Sequence, residues 1–277
     1  MPTDLAAAPD TPAWLVGACG LAVVACLWVT GLIVGRLRYG QSLLERRLQR
    51  PVPWDGSDVF VIVMLGLVIA TAVGAALGKS PPLDAQLAGN IMLVSLAMTV
   101  AIAWLMARGA TVADLGFVSG RLADDGRLAV AALVLVIPPL LALAAWLAVL
   151  VPYTHPVVEF LAARRDAIAV GLVVVTAVVA APVAEEFFFR RLIQGWLEKI
   201  LPQADGTWAI GISAAAFALA HQGQGLAYVP LFPLGIVLGF LAHRTGSIVP
   251  CILLHALFNA VSVTLLLTEP LPAPAGE

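Results

Sequence analysis

A chain of 277 residues in which 61% of side chains are hydrophobic and only 12% charged, with a mean hydropathy of +0.99, lies far from the composition of a water-soluble domain. The net charge of -2, with no basic block, excludes a nucleic-acid-binding surface. Several apolar runs reach the roughly 20 residues an α-helix needs to cross a bilayer, whereas membrane β-strands would alternate over about ten, so an all-α, polytopic transmembrane helical bundle is expected.

In chain order, hydropathy places segments near 13–35, 59–78, 87–107, 128–151, 167–189, 207–221, 226–243 and 247–267, about eight helices. The first carries Asp4 and Asp10 ahead of it, has no Lys or Arg before Arg36 and is too long for a targeting peptide; it is expected to remain as a span. Connections are marked by Pro51 and Pro53, Pro81 and Pro82, Asp124-Asp125-Gly126, Pro152 with Pro156, and His221-Gln222-Gly223-Gln224-Gly225. Between 191 and 201, Leu192, Ile193, Trp196, Leu197 and Ile200 recur at helical spacing among polar residues, as in an amphipathic helix at the membrane interface. Segment 207–221 is short for a full span. Cys19, Cys26 and Cys251 fall in apolar runs without metal-ligand spacing and read as packing or lipid-facing residues.

Lys and Arg favour cytoplasmic loops. With the N-terminus outside, the inner loops hold Arg36, Arg38, Arg46, Arg47, Arg50, Arg108, Arg121, Arg127, Arg190, Arg191, Lys199 and Arg244, and the outer side only Lys79, Arg164 and Arg165. Both termini are therefore expected outside, in an integral protein of the cell membrane whose catalytic site opens towards the cytoplasm.

The run Ala181-Pro182-Val183-Ala184-Glu185-Glu186-Phe187-Phe188-Phe189-Arg190 ends an apolar segment with three ionisable groups. Each would cost roughly 2.5–3.5 kcal/mol near a helix centre, so compensation is expected. Glu186 and Arg190 are i, i+4 and can pair, while Glu185 lies about 100° around the helix and faces another partner. Three phenylalanines after the glutamates fit an exposed head-group loop poorly. His221 ends the short sixth segment, and His255 and Asn259, again i, i+4, project from one face of the last helix, where polar side chains turn to the protein interior. His155 in a loop and His243 at a helix end read as structural or solvated.

The Glu-Glu-x-x-x-Arg, Phe-x-x-x-His and His-x-x-x-Asn motifs, in that order on successive apolar segments, resemble the CPBP family of type II CAAX prenyl proteases and bacteriocin-processing or immunity proteins. The resemblance spans about residues 125 to 265, with Asp114-Leu115-Gly116-Phe117 similar to the entry to that core. The chain is accordingly expected to divide into N-terminal transmembrane helices over 1–107, which carry none of the motifs, a catalytic membrane core like that family's over 108–267 and a flexible Pro/Ala-rich tail over 268–277. The resemblance implies Glu185 as catalytic glutamate, His221 as its partner in activating water, His255 and Asn259 as stabilisers of the oxyanion, and Glu186 and Arg190 as organisers of the site.

The chemistry is coherent without the name: water attacking an amide needs a base, and a carboxylate withdrawn from water is a better proton acceptor than one in it. A carboxylate with two histidines is also a conceivable zinc set. The absence of a His-Glu-x-x-His helix and the presence of Asn259 favour metal-independent hydrolysis, with no cofactor expected. The expected partners are the lipid bilayer and a membrane-embedded or lipidated peptide. A non-proteolytic scaffold or immunity protein of the same fold is the alternative, and a proton-coupled transporter a third reading.

Overall fold

The computed structural model describes residues 13–47, 51–117, 121–153, 156–201 and 205–268, with only the backbone for 13–15. The expectations for His155, Arg50, Asp4, Asp10 and residues 269–277 lie outside the described residues. Among those described there are nine long or short α-helical elements, one 3-10 turn (Val112–Leu115) and no strand: α1 (Ala13–Arg38), α2 (Gly56–Leu77), α3 (Leu83–Ala107), α4 (Leu122–Leu150), α5 (Pro156–Ala163), α6 (Ala167–Ile200), α7 (Thr207–Leu219), α8 (Tyr228–Thr245) and α9 (Val249–Thr268). Seven of these, all but α5 and α7, are long and apolar enough to cross a membrane, which makes this an integral multi-pass membrane protein.

Three boundaries differ from the sequence reading. Asp124-Asp125-Gly126 is no connection but the first turn of α4, where the two carboxylates meet the positive end of the helix dipole. The amphipathic stretch after Arg191 is no separate helix; it continues α6 to 34 residues. Pro156 opens an additional short helix, α5, at the first-turn position that a missing N–H tolerates.

Local chemistry sets the helix ends. Asp55 caps α2 in a reciprocal box with Asp58, and the second oxygen system of Asp58 is used again: Trp104 Nε1 at 3.0 Å and Arg108 Nε at 3.1 Å both donate to it, pinning the end of α3 to the start of α2. Asp166 caps α6 by accepting from the backbone of Ile168 and Ala169, and these bonds, with Arg164 beside it, hold its carboxyl below the usual range. Arg164 also reaches Asp84 at the start of α3, so α3 and α6 begin at the same end of the bundle.

Three apolar clusters hold the bundle together. Trp54, Ile62 and Leu105 from the N-terminal part pack with Phe187, Leu192 and Ile248; Val136 and Leu140 of α4 pack with Leu234, Leu238 and Leu254 of α8 and α9; Leu87, Leu161 and Val173 form the third. α1 lies against α4 with Leu21, Val24, Leu27 and Trp28 outward, as a lipid-facing helix does. Cys19 and Cys26 sit on it, and Cys251 is buried.

Charge segregates by end. Arg47 N–H donates to Arg244 O, Lys199 Nζ to Trp54 O, and Arg191 Nε to Asp114 O at one end; Arg165 reaches Leu267 O, and Arg164 reaches Asp84, at the other.

Candidate active site

Pro182 lies within α6 and cannot donate to the helix ladder. Around it the helix is wound to i→i+5 bonds over Val175–Ala180 and again over Glu186–Gln194, the geometry that often marks functional positions. Ala181 N–H bonds Thr176 O, so the next carbonyl, Ala177 O, would be the acceptor for the N–H that Pro182 lacks. Asn259 Nδ2 of α9 donates to that oxygen at 2.7 Å. Two further α6 carbonyls in the second π stretch take side-chain donors: Phe189 O from Ser213 Oγ at 2.7 Å, and Leu192 O from Trp54 Nε1 at 3.1 Å. These bonds fix α6 to α7, α9 and the segment before α2, and thereby fix the rotation of Glu185 and Glu186.

The glutamates separate as their helix positions require. Glu186 is fully buried; its Oε2 stands 3.1 Å from Arg190 Nε as an ion pair without hydrogen-bond alignment, and its Oε1 is 2.8 Å from His255 Nδ1. A carboxylate only accepts, so Nδ1 of His255 carries the proton and Nε2 points away from Glu186. Nη1 and Nη2 of Arg190 make no hydrogen bond among the described residues, and the guanidinium lies 4.6 Å over the ring of Phe217.

Glu185 keeps 26% of its side chain exposed, and its Oε2 has no hydrogen-bond partner. That oxygen is 3.8 Å from His221 Nε2 and 3.9 Å from His255 Nε2. Both separations are too long for direct hydrogen bonds and suit a single bridging water. His221 Nδ1 donates to Phe217 O at 2.9 Å, which leaves Nε2 of the neutral ring as an acceptor facing Glu185.

All six sequence-derived residues, Glu185, Glu186, Arg190, His221, His255 and Asn259, are thus brought together. His243 stands apart, buried against Glu198 at 3.1 Å. The role of Phe217 was not assigned from sequence: its ring meets the rings of Phe189, His221 and His255 edge-on and carries the Arg190 cation, so one side chain orients both histidines and Arg190. Its spacing of four before His221 was the available signal. Asp114–Phe117 braces the site from behind: Gly116, at φ +82°, offers its carbonyl to Ile248 N and Ser247 Oγ, and Phe117 stacks on Phe187.

Glu185, His221, His255 and Asn259 line a cavity of about 560 Å³. Val173, Ala177, Ala181 and Glu185 recur every fourth residue along its α6 wall, and the two alanines leave the space open. The cavity runs from Glu185 past Leu140, Leu231 and Phe258 to Leu87, Val157 and Val263, towards the end at which α3 and α6 begin and α9 finishes. Among the described residues no three His, Cys, Asp or Glu side chains are grouped so as to hold a metal ion.

No curated protein and no solved structure matches the chain. Residues 167–261, which carry all three motifs and every one of these site residues, match the model of the type II CAAX prenyl endopeptidase Rce1-like family, the same grouping the motifs resemble.

Proposed function

We propose that this protein is an intramembrane, glutamate-dependent endopeptidase of the CAAX prenyl protease type, acting on a membrane-associated, lipidated peptide. The observation that carries this reading is the unpartnered Glu185 Oε2 between His221 Nε2 and His255 Nε2, at 3.8 and 3.9 Å, on the wall of a mostly apolar cavity. A water there donates one hydrogen to Glu185 and the other to His221 Nε2, leaving an oxygen lone pair for the peptide carbonyl carbon. As the C–O bond forms, Glu185 takes the proton, and negative charge moves to the carbonyl oxygen. The second N–H of the Asn259 amide stabilises that charge, the first N–H being held by Ala177 O; His255 adds to it only with both ring nitrogens protonated, since Nδ1 already donates to Glu186 and Nε2 of the neutral ring is an acceptor. Collapse breaks the C–N bond, and the proton passes from Glu185 to the leaving amine.

Glu186 and Arg190 act behind this centre: Glu186 sets the tautomer of His255, and Arg190 compensates its charge. No metal enters the scheme. The distribution of Lys and Arg supports termini outside the cell membrane, which would set Glu185, in the second half of α6, towards the cytoplasmic side.

The test is cleavage of lipidated and unlipidated peptides by the protein in proteoliposomes. Glu185→Ala and His221→Ala are expected to lower kcat at least about a hundredfold, the scale of a general-base contribution. Full-rate cleavage by either variant removes the assignment. Loss of activity on chelation, restored by zinc, would replace the water-only scheme with a metal one.

A further inference from the structure

We propose that Asn90, on α3, binds the main chain of the peptide about four residues from the bond that is cut. The identity of the ligand rests on the peptidase reading above; the residue lies outside the matched segment 167–261 and in none of the motifs.

The cavity sorts its own polar groups. Glu185, His221 and His255 converge on the position of the water. Thr176 Oγ1, Ser262 Oγ and Asn259 Nδ2 already donate to the carbonyls of Leu172 at 2.7 Å, Phe258 at 3.2 Å and Ala177 at 2.7 Å. The side-chain amides of Asn90 and Gln224 line the same cavity and have no hydrogen bond among the described residues. Gln224 stands on a turn between Gly223 and Gly225, both at positive φ, whereas Asn90 is fixed by the regular backbone of a 25-residue apolar helix, with its side chain exposed on the cavity wall rather than packed. A polar side chain at such a position is costly without a partner and marks a functional site.

Its register gives the distance. Leu87, one turn before Asn90 on the same face, packs with Val173 of α6. α3 and α6 run in the same direction, which sets Asn90 about level with residue 176 and nine residues before Glu185, or about 14 Å at 1.5 Å per residue. An extended peptide rising about 3.3 Å per residue covers that span in about four residues. A primary amide presents donor and acceptor together, matching the C=O and N–H of one peptide unit; a lipid acyl chain offers it neither.

The experiment measures binding of fluorescein-labelled farnesylated peptides to the full chain in nanodiscs, with peptides reaching about six residues to either side of the bond or truncated to about two. Asn90→Leu is expected to weaken the long peptide about five- to tenfold and leave the short one unchanged. An N-methyl scan of the long peptide against wild type should show a matching loss only near the fourth residue, and that arm needs no folded variant. Equal affinity of Asn90→Leu and wild type for the long peptide, a flat N-methyl scan, or a wild type that holds neither peptide overturns the proposal. Binding that depends on Asn90 without cleavage would instead remove the peptidase reading alone, and cleavage with unchanged affinity in Asn90→Leu would remove Asn90 alone. Vesicles of lipid without peptide serve as competitor; displacement of the long peptide by lipid alone would assign the amide to a lipid head group and also overturn the proposal.

Discussion

Adjacent glutamates here have opposite energetic standing. Glu186 faces Arg190 at 3.1 Å and His255 at 2.8 Å with no exposure, so Glu186→Gln strands a buried guanidinium and is expected to cost about 3–5 kcal/mol, read as a lower midpoint of thermal unfolding in detergent. Glu185 has an oxygen without a hydrogen-bond partner, so Glu185→Gln should abolish cleavage while leaving that midpoint unchanged or raised. A large loss of stability in Glu185→Gln would refute this division of labour. The split itself was legible in the sequence, because Arg190 four residues after Glu186 claims one helix face and leaves the other carboxylate free. Phe217 and Asn90 were not: a phenylalanine or a lone amide in an apolar run acquires a role only from what tertiary packing sets beside it. Phe217→Ala is expected to cost about 3–5 kcal/mol and to lower kcat, since both histidine rings rest on it.

α6 is the element on which the site depends, and its winding is set by side chains far away in sequence. Asn259 stands in for the N–H that Pro182 lacks, so Asn259→Leu leaves Ala177 O unsatisfied at a cost of about 1–3 kcal/mol. Pro182→Ala restores a backbone donor at that place. The Asn259→Leu penalty, measured by denaturation in micelles, should then fall to less than half in the Pro182→Ala background; equal penalties in both backgrounds would break the link between the two residues. Pro182 could be read from sequence as a disruption needing help, but the i→i+5 winding could not, because it depends on donors supplied by Trp54, Ser213 and Asn259. Asp124 and Asp125 misled for a related reason: carboxylates before an apolar run punctuate a loop or open a helix, and here they do the latter.

At the scale of the whole molecule, hydropathy made the spans legible, while the course of the cavity between them emerges only from the packed bundle. The charge argument places Arg165 outside and Arg244 inside. An impermeant thiol reagent added to intact cells, on a background with Cys19, Cys26 and Cys251 replaced by Ser, is therefore expected to label Arg165→Cys but not Arg244→Cys; the reverse pattern would invert the bundle. α7, at 13 residues, rises only about 20 Å, too short for the roughly 30 Å of hydrocarbon, so the glycine turn from Ala220 to Ala227 ends inside the bilayer's depth. Non-helical backbone at that depth persists only where it is buried in protein or lines a water-filled space, and Gln224 and Ala227 line the cavity. The short helix thereby requires that the turn be covered by protein or wetted, and its place on the cavity that holds Glu185 ties the second of these to the water that the proposed hydrolysis would consume. On the peptidase reading, a substitution that dried the recess would withhold the second reactant before it disturbed any of the side chains around Glu185.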